Sequence, residues 1–303
     1  MLSLYYNNTD ILPKSNNLAW SSDGDNFGIE LSFDSLYDLE EGESITLWDD
    51  NIRFFEGIIV KKSYINFSNS YSCLDYSFYG NNETLIQFNK TAASNALKEL
   101  WNNFGVYIES INIPTLIDQL FKDKSLNDIT KEILELAETD QGKKYFSEFQ
   151  GATLKILEAY TETINPKLLI SKEISYDTDL SELRNKIIVV NDGEESNTIH
   201  AVESDNNSIN KYGLLQEYLT VSEEEQAKAI NMARNTLAEK NRIKKNFSFN
   251  CIALNGGCSI KANRLIDLGK EFSKYGITGK QKIKSASHSY NNKIHKVDIT
   301  LEV

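Results

Sequence analysis

Cysteine, proline and histidine are all scarce here, with three of each among 303 residues. The odd number of cysteines excludes a fully paired disulfide framework for Cys73, Cys251 and Cys258. Cys251 and Cys258 do not form a C-x-x-C pair, and no local set of four ligands accompanies them, so ordinary free thiols are expected. No apolar run approaches the roughly 20 residues that a membrane-spanning helix needs. The first residues, Met1 to Asp10, lack the basic start and apolar core of a signal peptide. Synthesis and folding in the cytoplasm are therefore expected, wherever the chain acts.

What is present is ordinary for a folded protein, with 40% hydrophobic and 25% charged residues. The length allows two or three domains. Fifteen Tyr and 14 Phe suit pleated, half-buried surfaces and lean the composition towards β structure. The net charge of −12 is unevenly spread. Residues 1–90 hold 14 acidic against 5 basic side chains, whereas residues 241–303 hold 12 basic against 4 acidic. That layout suits contacts between oppositely charged segments of neighbouring subunits, and equally a solvated surface whose charges cluster. An acidic body disfavours binding of nucleic acid by the whole chain.

Residues 1–88 alternate as strands. Leu2, Leu4 and Tyr6 share one face, as do Ile29, Leu31 and Phe33 after the turn-prone Ser21 to Asp25. Ile45 to Trp48 and Ile52 to Phe55 flank Asp49-Asp50-Asn51 as a hairpin, and Gly57 marks a bulge or a close backbone approach. Residues 89–164 change period. Thr91 caps a helix with Ala93, Leu97, Leu100, Trp101 and Phe104 on its apolar face. A second helix starts at Ser125, with Leu126, Ile129, Ile133, Leu136 and Ala137 inward, and two strands follow around Gln150-Gly151. Residues 165–303 return to strands: Ile187 to Val190 turns at Asn191-Asp192-Gly193 and pairs with Thr198 to Val202. Ser222 to Glu225 has the form of a capping box and opens a helix to about residue 240, with Ile230, Ala233 and Leu237 as its stripe. Phe247 to Ile252 is a strand. The last run turns at Asn291-Asn292 and ends with Val297, Ile299, Leu301 and Val303 alternating against Asp298, Thr300 and Glu302. The expected fold is α+β and mainly β: two β-barrel-like domains, a small α/β domain between them, and an additional helix in the carboxy-terminal part.

No catalytic signature emerges. His288 and His295 flank the final turn, where pairing brings them near each other, but no third ligand stands at metal-binding spacing, and solvated strand histidines are expected. Ser285, Ser287 and Ser289 lie near His288 without a G-x-S-x-G elbow. Gly276 to Lys280 has the wrong spacing for a phosphate loop and leads into a strand. Acidic pairs such as Asp23 and Asp25, Glu40, Glu41 and Glu43, Asp49 and Asp50, and Glu194 and Glu195 fall mostly in turns, and adjacency says nothing about a cleft with two facing carboxylates. Tyr5, Tyr6, Trp20 and Tyr71 would stack a sugar if exposed, though aromatics in strands are more often core. No catalytic residue, cofactor or metal is assigned.

Several stretches, in order, resemble a known family. They are the hairpin from Leu47-Trp48 to Ile58-Ile59, Lys124 to Ile129, Leu183 to Val190, Ile209 to Gly213, the helix from Asn231 to Lys245, and Gly279 to Val303. Together they resemble the PBSX-type phage-element baseplate hub family, the counterpart of the T4 tail-hub cylinder protein, including diffocin-like contractile bacteriocins. The resemblance implies a structural, non-enzymatic hub whose copies form a homotrimeric ring. That ring would join a sixfold tail tube or tube-initiator protein to a threefold central spike protein, among other baseplate proteins. Ring closure would also remove exposed sheet edges. The alternative is a tail-associated cell-wall hydrolase or carbohydrate-binding protein.

Overall fold

The computed structural model describes residues 2–24, 26–191, 198–221, 223–270, 272–273 and 277–303. The amino-terminal segment is all strand: β1 (Leu2–Tyr6), β2 (Thr9–Asp10), β3 (Ser15–Asp23), β4 (Glu30–Ser35), β5 (Ser44–Asp49), β6 (Ile52–Ile65) and β7 (Ser68–Asp75). Next come β8 (Glu83–Ala92), α1 (Ala93–Asn102), β9 (Ile108–Ser110), β10 (Leu116–Ser125), α2 (Leu126–Gln141), β11 (Tyr145–Gln150) and β12 (Thr153–Glu158). The remainder holds β13 (Thr163–Ile164), β14 (Lys167–Asp179), β15 (Lys186–Asn191), β16 (Ile199–Ser204), α3 (Asn206–Tyr212) and β17 (Gln216–Val221). It ends with α4 (Ala229–Lys240), β18 (Lys244–Asn255), β19 (Leu265–Asp267), β20 (Lys280–Asn291) and β21 (Ile294–Glu302). The fold is mainly β, as the residue pattern implies.

Thirteen strands form one curled sheet in the order β14-β18-β21-β20-β3-β4-β7-β6-β5-β1-β2, with β13 and β19 attached through β20. Its amino- and carboxy-terminal halves meet where β20 pairs with β3, from Ser285 opposite Asp23 to Tyr290 opposite Leu18. Each half has its own core. Leu4, Leu18, Leu31, Phe33, Ile45 and Leu47 pack in one; Phe247, Phe249, Ile283, Val297, Ile299 and Leu301 pack in the other. Burying a side chain of this kind stabilises by about 1.5–3 kcal/mol relative to exposure. The final strand lies between β18 and β20, so it is central rather than marginal. Val303 falls past its end and is 40% exposed.

Turn chemistry sets the registers. Asp49 pairs with Ile52 and Asn291 with Ile294, so the turns are Asp50-Asn51 and Asn292-Lys293. Asn292 (φ 51°) and Lys293 (φ 63°) both take left-handed backbone, which moves the last turn one residue beyond the expected Asn291-Asn292. Gly57 is a close approach: a Cβ there would stand 2.1 Å from the Leu74 carbonyl oxygen. The bulge of that hairpin lies on the same strand at Phe54, since Leu47 pairs with Phe55 and Trp48 with Arg53.

In the middle module α1 and α2 cover a core that includes Trp101, Phe121, Ile129, Ile133 and Leu154. The Ser125 Oγ caps α2 by accepting the Asp128 N–H at 3.1 Å, and Gly142 (φ 66°) ends the helix. Thr91, expected as the cap of α1, belongs to β8. The Ala93 N–H instead donates to the Thr115 carbonyl at 2.7 Å, so neighbouring backbone satisfies the helix start. Phe104 lies beyond α1 and is 38% exposed, and Leu136 turns outward on α2.

Strands β14 and β18 run antiparallel until Asp179 meets Lys244, and residues 180–243 form an insert at that end. Its sheet, ordered β16-β15-β17, pairs Ile188 with Val202 and Val189 with Ala201. Helix α4 packs on β15 and β16 through the small residues Ala229 and Ala233, while Ile230, expected on that stripe, faces out. The expected cap Ser222 and the turn residues Asp192 and Gly193 lie outside the described residues.

Candidate functional site

The seam between the two halves of the sheet brings together two of the three histidines, His288 and His295, and one tryptophan. Trp20 on β3 stands opposite His288 on β20, and their rings stack at 4.7 Å with an interplanar angle of 6°. His288 Nε2 lies 2.9 Å from the Ile260 carbonyl, and Nδ1 lies 2.9 Å from His295 Nε2. A carbonyl only accepts, so we assign the His288 proton to Nε2; Nδ1 then accepts, and His295 donates from Nε2. Burial, reinforced by the neighbouring His295, lowers His288 to about 3. Burial also lowers His295 to about 4, against the pull of Asp49. Both imidazoles are neutral and structural at pH 7. The expectation of solvated histidines is thereby corrected: His288 is only 3% exposed, because β3 pairs over it.

The neighbouring serines make no nucleophile. Ser287 and Ser289 alternate with His288 along β20 and are exposed while it is buried, so they occupy the opposite face. Trp20 and Tyr71 are buried, which removes them from any exposed aromatic platform; Tyr5 and Tyr6 are half-buried. All three cysteines are buried and free, and burial pushes the Cys73 and Cys251 thiols up to about 12. Among the described residues no three His, Cys, Asp or Glu side chains are placed to hold a metal ion.

The acidic pairs disperse. Glu43 accepts from the Glu40 N–H and then from the Tyr6 hydroxyl, which together hold its carboxyl below the ordinary range. Asp50 is a turn residue with φ 51°. Asp25, Glu194 and Glu195 lie outside the described residues.

Two other clusters come from residues far apart in sequence. Arg264 donates from one nitrogen to both Glu148 oxygens at 2.8 and 2.9 Å and from another to Glu162 at 2.7 Å, with its guanidinium over the Phe146 ring. Burial would raise Glu148, but Lys261 and Arg264 overcome it and hold the carboxyl below its usual range. Beside this pair a cleft of about 620 Å³ opens between α2, the start of β11, α4 and the segment around Phe27. Glu138 and Glu239 both line it. Burial, then the charge of Glu239, raises Glu138 to about 7. No local signal marks either cluster, since Glu138 and Glu239 sit on helices that meet only in the fold.

At the sheet's two ends the edges differ. Asp10 Oδ1 accepts the Leu4 N–H at 3.3 Å and the Leu12 N–H at 3.1 Å, closing the amino-terminal edge with a carboxylate. Strand β14 is paired only with β18 among the described strands. Leu169 and Tyr176 on it are 59% and 52% exposed. No helix among the described residues is long and apolar enough to cross a membrane.

The fold is that of phage tail proteins. It is similar to a tail protein from Neisseria meningitidis MC58 (TM-score 0.75, 12% identity, 100% of this chain and 96% of that one). It is equally recognisable in the 43 kDa tail protein of prophage MuSo2 from Shewanella oneidensis (TM-score 0.71, 12% identity, 99% and 97% covered). An E. coli component of the type VI secretion system, described as similar in structure to the T4 tail proteins gp27 and gp5, matches at TM-score 0.55 and 8% identity, over 98% and 76%. No curated protein matches the chain in sequence. A family model described as YQBQ-like matches residues 18–302, and by that match the chain belongs to the YQBQ-like family.

Proposed function

We propose that the chain is a structural baseplate hub of a contractile tail, of the PBSX type and allied to diffocin-like bacteriocins, with no catalytic step of its own. Three copies form a ring that meets the tail tube or its initiator on one face and the central spike on the other, beside other baseplate proteins. The chain is made in the bacterial cytoplasm and built into the baseplate there. Residues 1–88 and 165–303 supply the two barrel-like parts of each copy, and residues 89–164 the small domain between them.

The observation that carries this reading is the long edge strand β14, Lys167–Asp179, at one end of a sheet that already joins two halves edge to edge at β20 and β3. Long exposed edges invite aggregation unless a partner covers them. A ring of copies covers such edges. The tail-protein fold and the family support the same role. Spike partnership is supported by a Francisella PdpA-VgrG complex of similar fold, matched at TM-score 0.55 and 12% identity over 99% of this chain and 52% of that one.

Co-expression with tail tube and spike proteins of the same particle tests the reading. The expected result is co-purification of the three as one particle. A chain that binds neither overturns it.

A further inference from the structure

The insert of residues 180–243 is carried on the paired ends of β14 and β18. It also meets the body of the molecule where α4 packs on α2. Asn235 Nδ2 fastens that joint by donating to the Thr139 and Asp140 carbonyls at 3.2 and 3.3 Å, and Lys228 Nζ stands 4.0 Å from Asp140 Oδ1. These contacts satisfy carbonyls that the end of α2 leaves without helical partners.

Beside the same joint two carboxylates work against it. Glu239 lies one turn beyond Asn235 on the same face of α4, and Glu138 immediately precedes Thr139 on α2. Both line the 620 Å³ cleft together with Glu135. Among the described residues none of these three carboxylates has a hydrogen bond or an ion pair. Glu239 and Glu135 repel the charge of Glu138, whereas Lys144 before β11 and Lys282 on β20 attract it. Asp128, Lys131 and Lys240 complete the charged lining; Asp128 accepts from Ser125 at 2.6 Å and Lys240 is paired with Glu217 at 2.5 Å.

We propose that the α2–α4 joint is a proton-dependent latch: protonated Glu138 lets the 180–243 insert close on the middle module, and ionised Glu138 beside Glu239 loosens the joint and opens the cleft. The sign follows from linkage. A carboxyl raised in the closed state from 4.5 to about 7 favours closure fully below 4.5 and ceases to do so as pH rises through about 7. The local opening is independent of assembly and leaves the sheet intact.

Hydrogen exchange of the full-length chain tests this, with rates corrected for the intrinsic effect of pH. Between about pH 5.5 and about pH 8.5 the protection of α4 amides should fall by about tenfold or more, while amides of β21 should not follow. In Glu138→Gln the α4 protection should stay flat over that range. In Glu239→Lys, where repulsion becomes attraction, it should also stay high. Flat α4 protection in the unmodified chain overturns the latch. So does a Glu138→Gln variant that loses protection as the unmodified chain does.

Discussion

His295 Nε2 donates to His288 Nδ1 at 2.9 Å, across the last two strands and directly behind the Trp20 ring. This bond ties the carboxy-terminal hairpin to the seam between the sheet's halves, and it exists only while Nδ1 of His288 carries no proton. In the folded chain the two imidazoles titrate at about 3 and about 4, against an ordinary 6.5. Below 6.5 the unfolded chain therefore binds more protons than the folded one, so stability falls as pH drops from 6.5 towards 3. Thermal unfolding followed across this window should show the loss. The variant His288→Phe keeps a ring against Trp20 but leaves the Ile260 carbonyl and the His295 N–H unpaired. It should cost about 1–3 kcal/mol at neutral pH and flatten the acid limb. An unchanged slope would contradict the assignment.

The Arg264 cluster should tolerate loss of the pair better than loss of one partner. Arg264 is buried against Glu148, so Arg264→Met strands a carboxylate and should destabilise by about 3–5 kcal/mol. Adding Glu148→Met should recover much of that loss. Urea unfolding of the two variants measures the difference; a double variant no better than the single one would show that the pair adds net stability.

Gly57→Ala tests the close packing of β6 on β7. Its Cβ would stand 2.1 Å from backbone at Leu74, which cannot rotate away. Destabilisation of about 3 kcal/mol, seen as a lowered midpoint in urea, is expected. Tolerance of the alanine would mean that the strands are farther apart than described.

Truncation of Asp298 to Val303 removes the buried Ile299 and Leu301 and strips β18 and β20 of their pairing with β21 from Asp298 to Glu302. The truncated chain should not fold, as circular dichroism and solubility would report. A soluble, cooperatively unfolding truncation would contradict the central placement of β21.

Much of the scaffold was legible in the residues because period and turn chemistry act locally. Leu31 and Phe33 alternate inward, Ser125 caps α2, and the Val297, Ile299 and Leu301 face is buried. Where the expectations failed, distant backbone had replaced a local device. The Thr115 carbonyl starts α1 in place of Thr91, and β3 covers His288, which its own hairpin would have left solvated. The charged clusters left no trace for the same reason: Arg264 and Glu148, or Glu138 and Glu239, are ordinary surface-type residues until the fold brings them together. The resemblance spread over several weak stretches agrees with the tail-protein fold, which no single motif marks.

The most direct test of the proposed structural role is the sedimenting mass of the purified chain with and without tail tube and spike proteins. The account predicts a threefold particle, formed alone or on adding a neighbour. It also predicts that the particle is lost when Leu169→Lys and Tyr176→Lys place charge along the exposed edge of β14 while the monomer stays folded. A chain that remains monomeric under every condition, or a double-lysine variant that assembles unchanged, would contradict it.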